Sequence, residues 1–126
     1  MAAPLHFAQV VVDCANAKQL AGFYAALLDR EMVEDSNEFF AFLPASADPP
    51  WPGLMFLQVP EPRQGKNRVH IDLHTHDRAA ATAKAVDLGA TKLGEFDEFG
   101  AIWTTLSDPE GNVFDIAEHP PRPPAG

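Results

Sequence analysis

The sequence predicts an α+β fold made of two βαβββ modules, and three observations predict it. Strand and helix signals run in the order strand, helix, three strands, and then repeat that order. The registers agree, because Gln9 lies seven residues before Asn16 and His70 lies seven before Asp77. Asn16 and Asp77 each suit the position that caps the helix after it. Finally, Leu57-Gln58-Val59-Pro60-Glu61 near the end of the first half resembles Phe114-Asp115-Ile116-Ala117-Glu118 at the end of the second.

Taken in order, Leu5 to Val12 reads as a strand, because the β-branched run Val10-Val11-Val12 suits a pleated, buried position. From Ala17 to Leu28, apolar Leu20, Phe23, Tyr24, Leu27 and Leu28 recur at three- and four-residue spacing, which is one face of a helix. Two short strands are expected at Glu31 to Asp35 and Glu38 to Leu43, joined by a Ser-Asn turn. PASADPPWPG holds four prolines and is expected as a loop. Leu54 to Val59 closes the first half as a strand, and PEPRQGKN links it to the second.

The second half opens on a strand from Arg68 to His74, with Val69, Ile71 and Leu73 on one face and His70, Asp72 and His74 on the other. An Ala-rich helix runs from Arg78 to Leu88 and stops at Gly89. Thr91 to Phe96, Ala101 to Leu106 and Val113 to Ala117 are expected strands, and Ser-Asp-Pro-Glu-Gly-Asn at 107–112 is a turn. One domain is therefore expected over 1–118, with modules at about 5–60 and 67–118 and a Pro-rich tail at 119–126.

Composition narrows the function classes. Nine Lys and Arg stand against 18 Asp and Glu, giving a net charge of −9. Nucleic-acid partners call for a basic face, and anionic membrane surfaces repel such a chain, so neither is expected. The single cysteine, Cys14, cannot close an internal disulfide and suits a small buried apolar position. The N-terminal stretch shows no secretory pattern and no apolar run is long enough to span a bilayer, so a cytoplasmic protein is expected.

Particular segments carry a family resemblance. DCANAKQLAGFYAALL, KNRVHIDLHTHD, DLGAT and LSDPEGNVFDIAE together resemble the vicinal-oxygen-chelate superfamily, which includes glyoxalase I, the bleomycin-resistance proteins and the extradiol dioxygenases. The Lys-Asn-Arg-x-His-x-Asp core resembles its actinobacterial-type glyoxalase-like subfamily. The resemblance implies a cupped mixed sheet with helices on the outer face, a cavity between the modules, and a homodimer. One departure is Asp29, where the family usually has Gly at the end of the first helix. Asp tolerates the left-handed conformation that such an end requires.

The same resemblance places metal ligands on the first and last strand of each module, which carries over to Gln9, Gln58, His70 and Asp115. One divalent ion (Ni, Zn, Mn or Fe) is implied, with no metal as the equal alternative. Gln58 stands where metal enzymes of the family usually offer Glu, which leaves Asp115 the one anionic ligand of that set. The alternative is a polar cavity floor, with His70 donating to Asp72 or Asp115 and the two glutamines bonded to each other. His70, His74 and Asp115 are candidate acid–base groups. Phe42, Phe56, Asp72 and Trp103 are candidate substrate-pocket residues, although aromatics at such spacing also suit a plain core. Trp51, in its Pro-rich loop, is a candidate lid or dimer contact.

The function implied is a glyoxalase-like or bleomycin-resistance-like protein acting on or binding a small molecule, as a metal-assisted lyase or isomerase. The alternative is metal-free sequestration of an antibiotic-like molecule, for which the acidic charge would favour a cationic ligand. A metal-independent lyase or isomerase is the third reading. Extradiol chemistry fits least, because only one His occupies a ligand position.

Overall fold

The structure is a computed structural model that describes residues 3–118. The expected tail at 119–126, with His119, lies outside the described residues. The chain divides into two compact units, with the division between Arg63 and Gln64. Each unit is a mixed sheet with one helix on one face, as the α+β reading requires.

In the first unit β1 (Gln9–Cys14), β2 (Phe40–Leu43) and β5 (Gly53–Gln58) form a sheet in the order β1-β5-β2. β1 runs parallel to β5, with Val10 opposite Leu54 and Val12 opposite Phe56; β2 runs antiparallel to β5, with Ala41 opposite Phe56. Neighbouring residues across a sheet share a face. Val10, Val12, Leu54, Phe56, Ala41 and Leu43 therefore meet helix α1 (Ala17–Leu28), which buries Leu20, Phe23 and Tyr24 against them. Phe56 is fully buried and its ring stacks on Tyr24 at 5.8 Å. Asn16 caps α1 by accepting from the Gln19 amide at 3.1 Å. Asp29 ends the helix at φ 52°, ψ 52°, and its amide donates to the Ala25 carbonyl. The left-handed helix end survives the exchange of Gly for Asp.

Three expectations for this unit need correction. Glu31 to Asp35 forms no strand: Val33 makes one backbone bond to Phe42 before the Ser36 amide folds back on Val33, so no ladder develops. β2 begins at Phe40, not Glu38, because the Asn37 side chain accepts from the amides of Phe39 and Phe40 and keeps them in a turn. The Pro-rich segment is not wholly irregular. β3 (Ser46–Ala47) and β4 (Pro50–Trp51) pair in a two-stranded hairpin whose turn holds a cis Asp48–Pro49 bond. The Arg30 guanidinium pins this hairpin, donating to the carbonyls of Pro44 and Pro52 and lying 4.9 Å from the Trp51 ring centre. Trp51 is thus half-buried against its own unit.

The second unit holds β6 (Ile71–Thr75), β7 (Thr91–Glu98), β8 (Ala101–Ser107) and β9 (Val113–Glu118) in the order β6-β9-β8-β7. Helix α2 (Arg78–Asp87) is capped by Asp77, whose side chain accepts from the Ala80 amide at 3.0 Å. Phe114, Ile116, Leu106 and Thr104 are buried on the face toward α2, where the Thr104 hydroxyl accepts from Arg78 at 2.8 Å. Val69 does not join this face: it lies before β6 and is 78% exposed. β7 runs two residues beyond its expected end to a two-residue turn at Phe99 and Gly100, both at positive φ, and β8 starts at Ala101 as expected. The 107–112 turn closes on buried Asp108. Its carboxylate accepts from the amides of Glu110 and Asn112 at 2.9 and 3.0 Å and from the Asn112 side chain at 3.1 Å.

Candidate functional site

The register of the second sheet sets out its helix-free face row by row. Asp72, Asp115, Thr105 and Gly94 stand in one line across β6, β9, β8 and β7. His74, Ala117, Trp103 and Phe96 form the next line, two residues along each strand. His70 lies just before β6 and turns its ring back onto the first line. Its Nε2 is 3.0 Å from Asp72 Oδ1 and 3.3 Å from Asp115 Oδ2. The Thr105 hydroxyl donates to the other Asp115 oxygen at 2.7 Å, which leaves Oδ2 aimed at the imidazole. Asp115 is 17% exposed at its side chain, against 49% for His70 and 59% for Asp72, so the cluster is anchored on β9 and reaches outward.

These three side chains each offer one ligand atom, and the three atoms lie within 4.8 Å of one another. One imidazole nitrogen and two carboxylate oxygens match the donor preferences of Zn, Ni, Mn and Fe. Tetrahedral bonds of roughly 2.0–2.1 Å place neighbouring ligand atoms about 3.3 Å apart, close to the two contacts His70 already makes. The donor set therefore fits a divalent cation, with Thr105 orienting Asp115 behind it as outer partners of metal ligands do.

The sequence-based candidates separate clearly in this geometry. His70, Asp72 and Asp115 come together as strand alternation predicted. The two glutamines do not bond each other. Gln9 is opposite Gly53, and Gln58 is opposite Cys14 at the far end of the same strand pair. Five residues of strand span roughly 16 Å. Alternation also puts Gln58 on the helix side of the sheet, where its amide donates to the Ala15 carbonyl at 3.1 Å. Aligning the units by register, Val10 with Leu54 against Ile71 with Phe114, gives the equivalents directly. Gln9 matches His70, Met55 matches Asp115, and Gln58 matches Glu118. Glu118 likewise sits on the helix side, 3.6 Å from Arg78 Nε. Gln58 thus stands on the helix side of its sheet, three residues beyond the register equivalent of Asp115.

The aromatic candidates also divide. Phe56 is a core residue and lines no accessible surface. Phe42 covers Gly53: a Cβ added there would stand 3.0 Å from its ring and 3.3 Å from Gln9 Cβ. Trp103 is half-buried on the helix-free face of the second sheet and stacks on Phe96, with ring centres 5.5 Å apart and planes at 22°. Phe96, Thr105 and Gly94 escaped sequence reasoning, because their places on this face follow only from the β7–β8 register. Cys14 is buried, with Sγ 3.4 Å from the Leu57 carbonyl, as a small core residue.

The other face of this unit carries a cluster of ion pairs. Lys92 and Arg78 both reach Glu95, at 3.0 and 3.1 Å, and hold its carboxyl below the usual range, Lys92 contributing most.

Two mixed sheets, each covered by one helix and following the strand–helix–strands order, define the vicinal-oxygen-chelate class. The chain belongs to the glyoxalase-like domain family, whose sequence model matches residues 9–117. Solved structures agree on the fold. A glyoxalase/bleomycin resistance protein/dioxygenase family enzyme from Burkholderia phytofirmans aligns at TM-score 0.74 and 17% identity, over 90% of this chain and 98% of that one. A glyoxalase-related enzyme from Fulvimarina pelagi aligns at 0.70 and 16%, over 91% and 88%. Lactoylglutathione lyase from Agrobacterium tumefaciens aligns at 0.63 and 17%, over 91% and 94%. Among proteins of curated function, none matches the chain in sequence. No helix among the described residues is long and apolar enough to cross a membrane.

Proposed function

We propose that this chain holds a divalent cation on His70, Asp72 and Asp115 and acts there on a small oxygen-bearing molecule, as a lyase or isomerase of the glyoxalase type. The observation that carries this reading is the convergence of three ligand atoms on one helix-free sheet face. A bound cation would supply Lewis acidity toward a substrate oxygen. Asp115 anchors the site through Thr105, and Asp72 adds the second carboxylate that the glutamines cannot provide. His74 is on the same face, two residues beyond Asp72, and is the group placed to move a proton. A cytoplasmic homodimer belongs to the same reading and rests on the family resemblance.

The testing experiment is elemental analysis of untagged protein after incubation with nickel, zinc, manganese or ferrous iron, alongside His70→Ala. Near-stoichiometric metal that disappears in the variant is the expected result. No uptake of any of the four would sink the proposal. It would favour metal-free sequestration of a cationic molecule by the same two carboxylates, for which His70 already provides a hydrogen-bonded partner.

A further inference from the structure

The row beside the candidate metal ligands is aromatic, and it is the same face. Trp103 stands diagonal to Asp115 across the β8–β9 pair, because Asp115 is opposite Thr105 and Trp103 is opposite Ala117. Such diagonal neighbours are about 7–8 Å apart. Ala117 contributes only a methyl group between His74 and Trp103, so the floor there is flat. On the other side, Phe96 leans toward the polar row. Its ring atoms lie 3.3 Å from where a Cβ on Gly94 would be, so the ring fills the space that Gly94 leaves beside Thr105. Trp103 and Phe96 stack nearly parallel and stand as one aromatic block beside the polar cluster. Phe96 is 43% exposed, a large apolar side chain kept in contact with solvent.

Resting on the proposed cation site, we infer that its ligand is an aryl compound whose oxygen-bearing head is joined to the ring directly or through a single atom. The head occupies His70, Asp72 and Asp115, and the ring lies against Trp103 and Phe96. The short diagonal from Asp115 to Trp103 excludes a long spacer between head and ring. An aliphatic compound with the same head would leave both rings uncovered and would bind more weakly.

The test compares benzohydroxamate with acetohydroxamate, which share one chelating head and differ in the aryl group. Zinc-loaded protein is titrated with each by calorimetry, and zinc content is measured on the same samples. Trp51→Phe protein leaves Trp103 as the one tryptophan, so its fluorescence reports contact with the ring. The expected result is benzohydroxamate binding at least tenfold tighter, with quenching of Trp103. In Trp103→Ala the preference should fall below threefold while zinc content stays unchanged. Phe96→Ala, at a more exposed position, serves should Trp103→Ala fail to fold, and should cut the preference at least threefold. Stoichiometric zinc with equal affinities would overturn the aryl inference and leave the cation site standing, as would a preference that survives both variants. The same holds if the variants change only the oligomeric state, because a second copy then covers the aromatic row. Protein that takes up no zinc overturns the cation site and the aryl inference together.

Discussion

Replacing Asp108 by Ala should weaken the whole second unit, and the structure sets the size of the effect. The carboxylate is 4% exposed and accepts three hydrogen bonds of 2.9–3.1 Å, from the Glu110 amide, the Asn112 amide and the Asn112 side chain. Hydrogen bonds to a charged group are worth about 1.5–3 kcal/mol each, but burying the carboxylate offsets part of that sum. A net loss of about 2–4 kcal/mol follows. An unfolding entropy of about 2.1 cal/mol/K per residue makes each kcal/mol worth about 4 °C in a chain of 126 residues, so Tm should fall by roughly 8–15 °C. Asp108→Asn keeps one acceptor oxygen and should lose about half as much. Urea and thermal unfolding followed by near-UV circular dichroism measure both variants. A loss under about 1 kcal/mol for Asp108→Ala would refute the argument. The turn would then be held by β8–β9 pairing and by its backbone bonds, from the Asp108 amide to the Asn112 carbonyl and from the Gly111 amide to the Asp108 carbonyl, not by the buried carboxylate. The effect bears on function, because this turn sets the register that brings Asp115 opposite Thr105.

Other consequences are equally open to measurement. Phe99 is 97% exposed at φ 56°, in a two-residue turn that favours Asn or Gly. Phe99→Asn should therefore raise stability by about 0.5–1 kcal/mol in denaturant titration. Gly53→Ala would press a methyl group to 3.0 Å from the Phe42 ring and 3.3 Å from Gln9 Cβ. A cost of about 1–3 kcal/mol is expected, read as a lower urea midpoint. The depressed carboxyl of Glu95 stabilises the fold above the pKa of an unfolded Glu, and that stabilisation disappears as pH falls through the lower folded value. Glu95→Gln should thus be less stable than wild type near neutrality, and the two should converge in acid when unfolding is followed against pH.

Local signals carried much of the fold. The starts of both helices and the 107–112 turn follow from polar side chains that bond to nearby backbone amides, and such bonds are written in short stretches of sequence. His70, Asp72 and Asp115 were legible for a similar reason. They alternate with Ile71, Leu73, Phe114 and Ile116, and this contrast marks the face of each strand. The register position of Gln58 was not legible, because Leu54-Met55-Phe56-Leu57 is apolar throughout. A strand without polar alternation does not reveal its phase. Phe99-Gly100 is an uncommon pair for a two-residue turn, so the reach of β7 and the place of Phe96 waited on the strand pairing. Neither the failed strand at 31–35 nor the hairpin at 46–51 could be read locally. One turns on the Ser36 amide folding back on the Val33 carbonyl, the other on Arg30 reaching Pro44 and Pro52.

A crystal of the zinc-soaked protein, with anomalous diffraction recorded on both sides of the zinc edge, tests the cation site itself. One strong anomalous peak is expected within bonding distance of His70 Nε2, Asp72 Oδ1 and Asp115 Oδ2. A peak elsewhere, or none at this cluster while zinc is present in the soak, would contradict it.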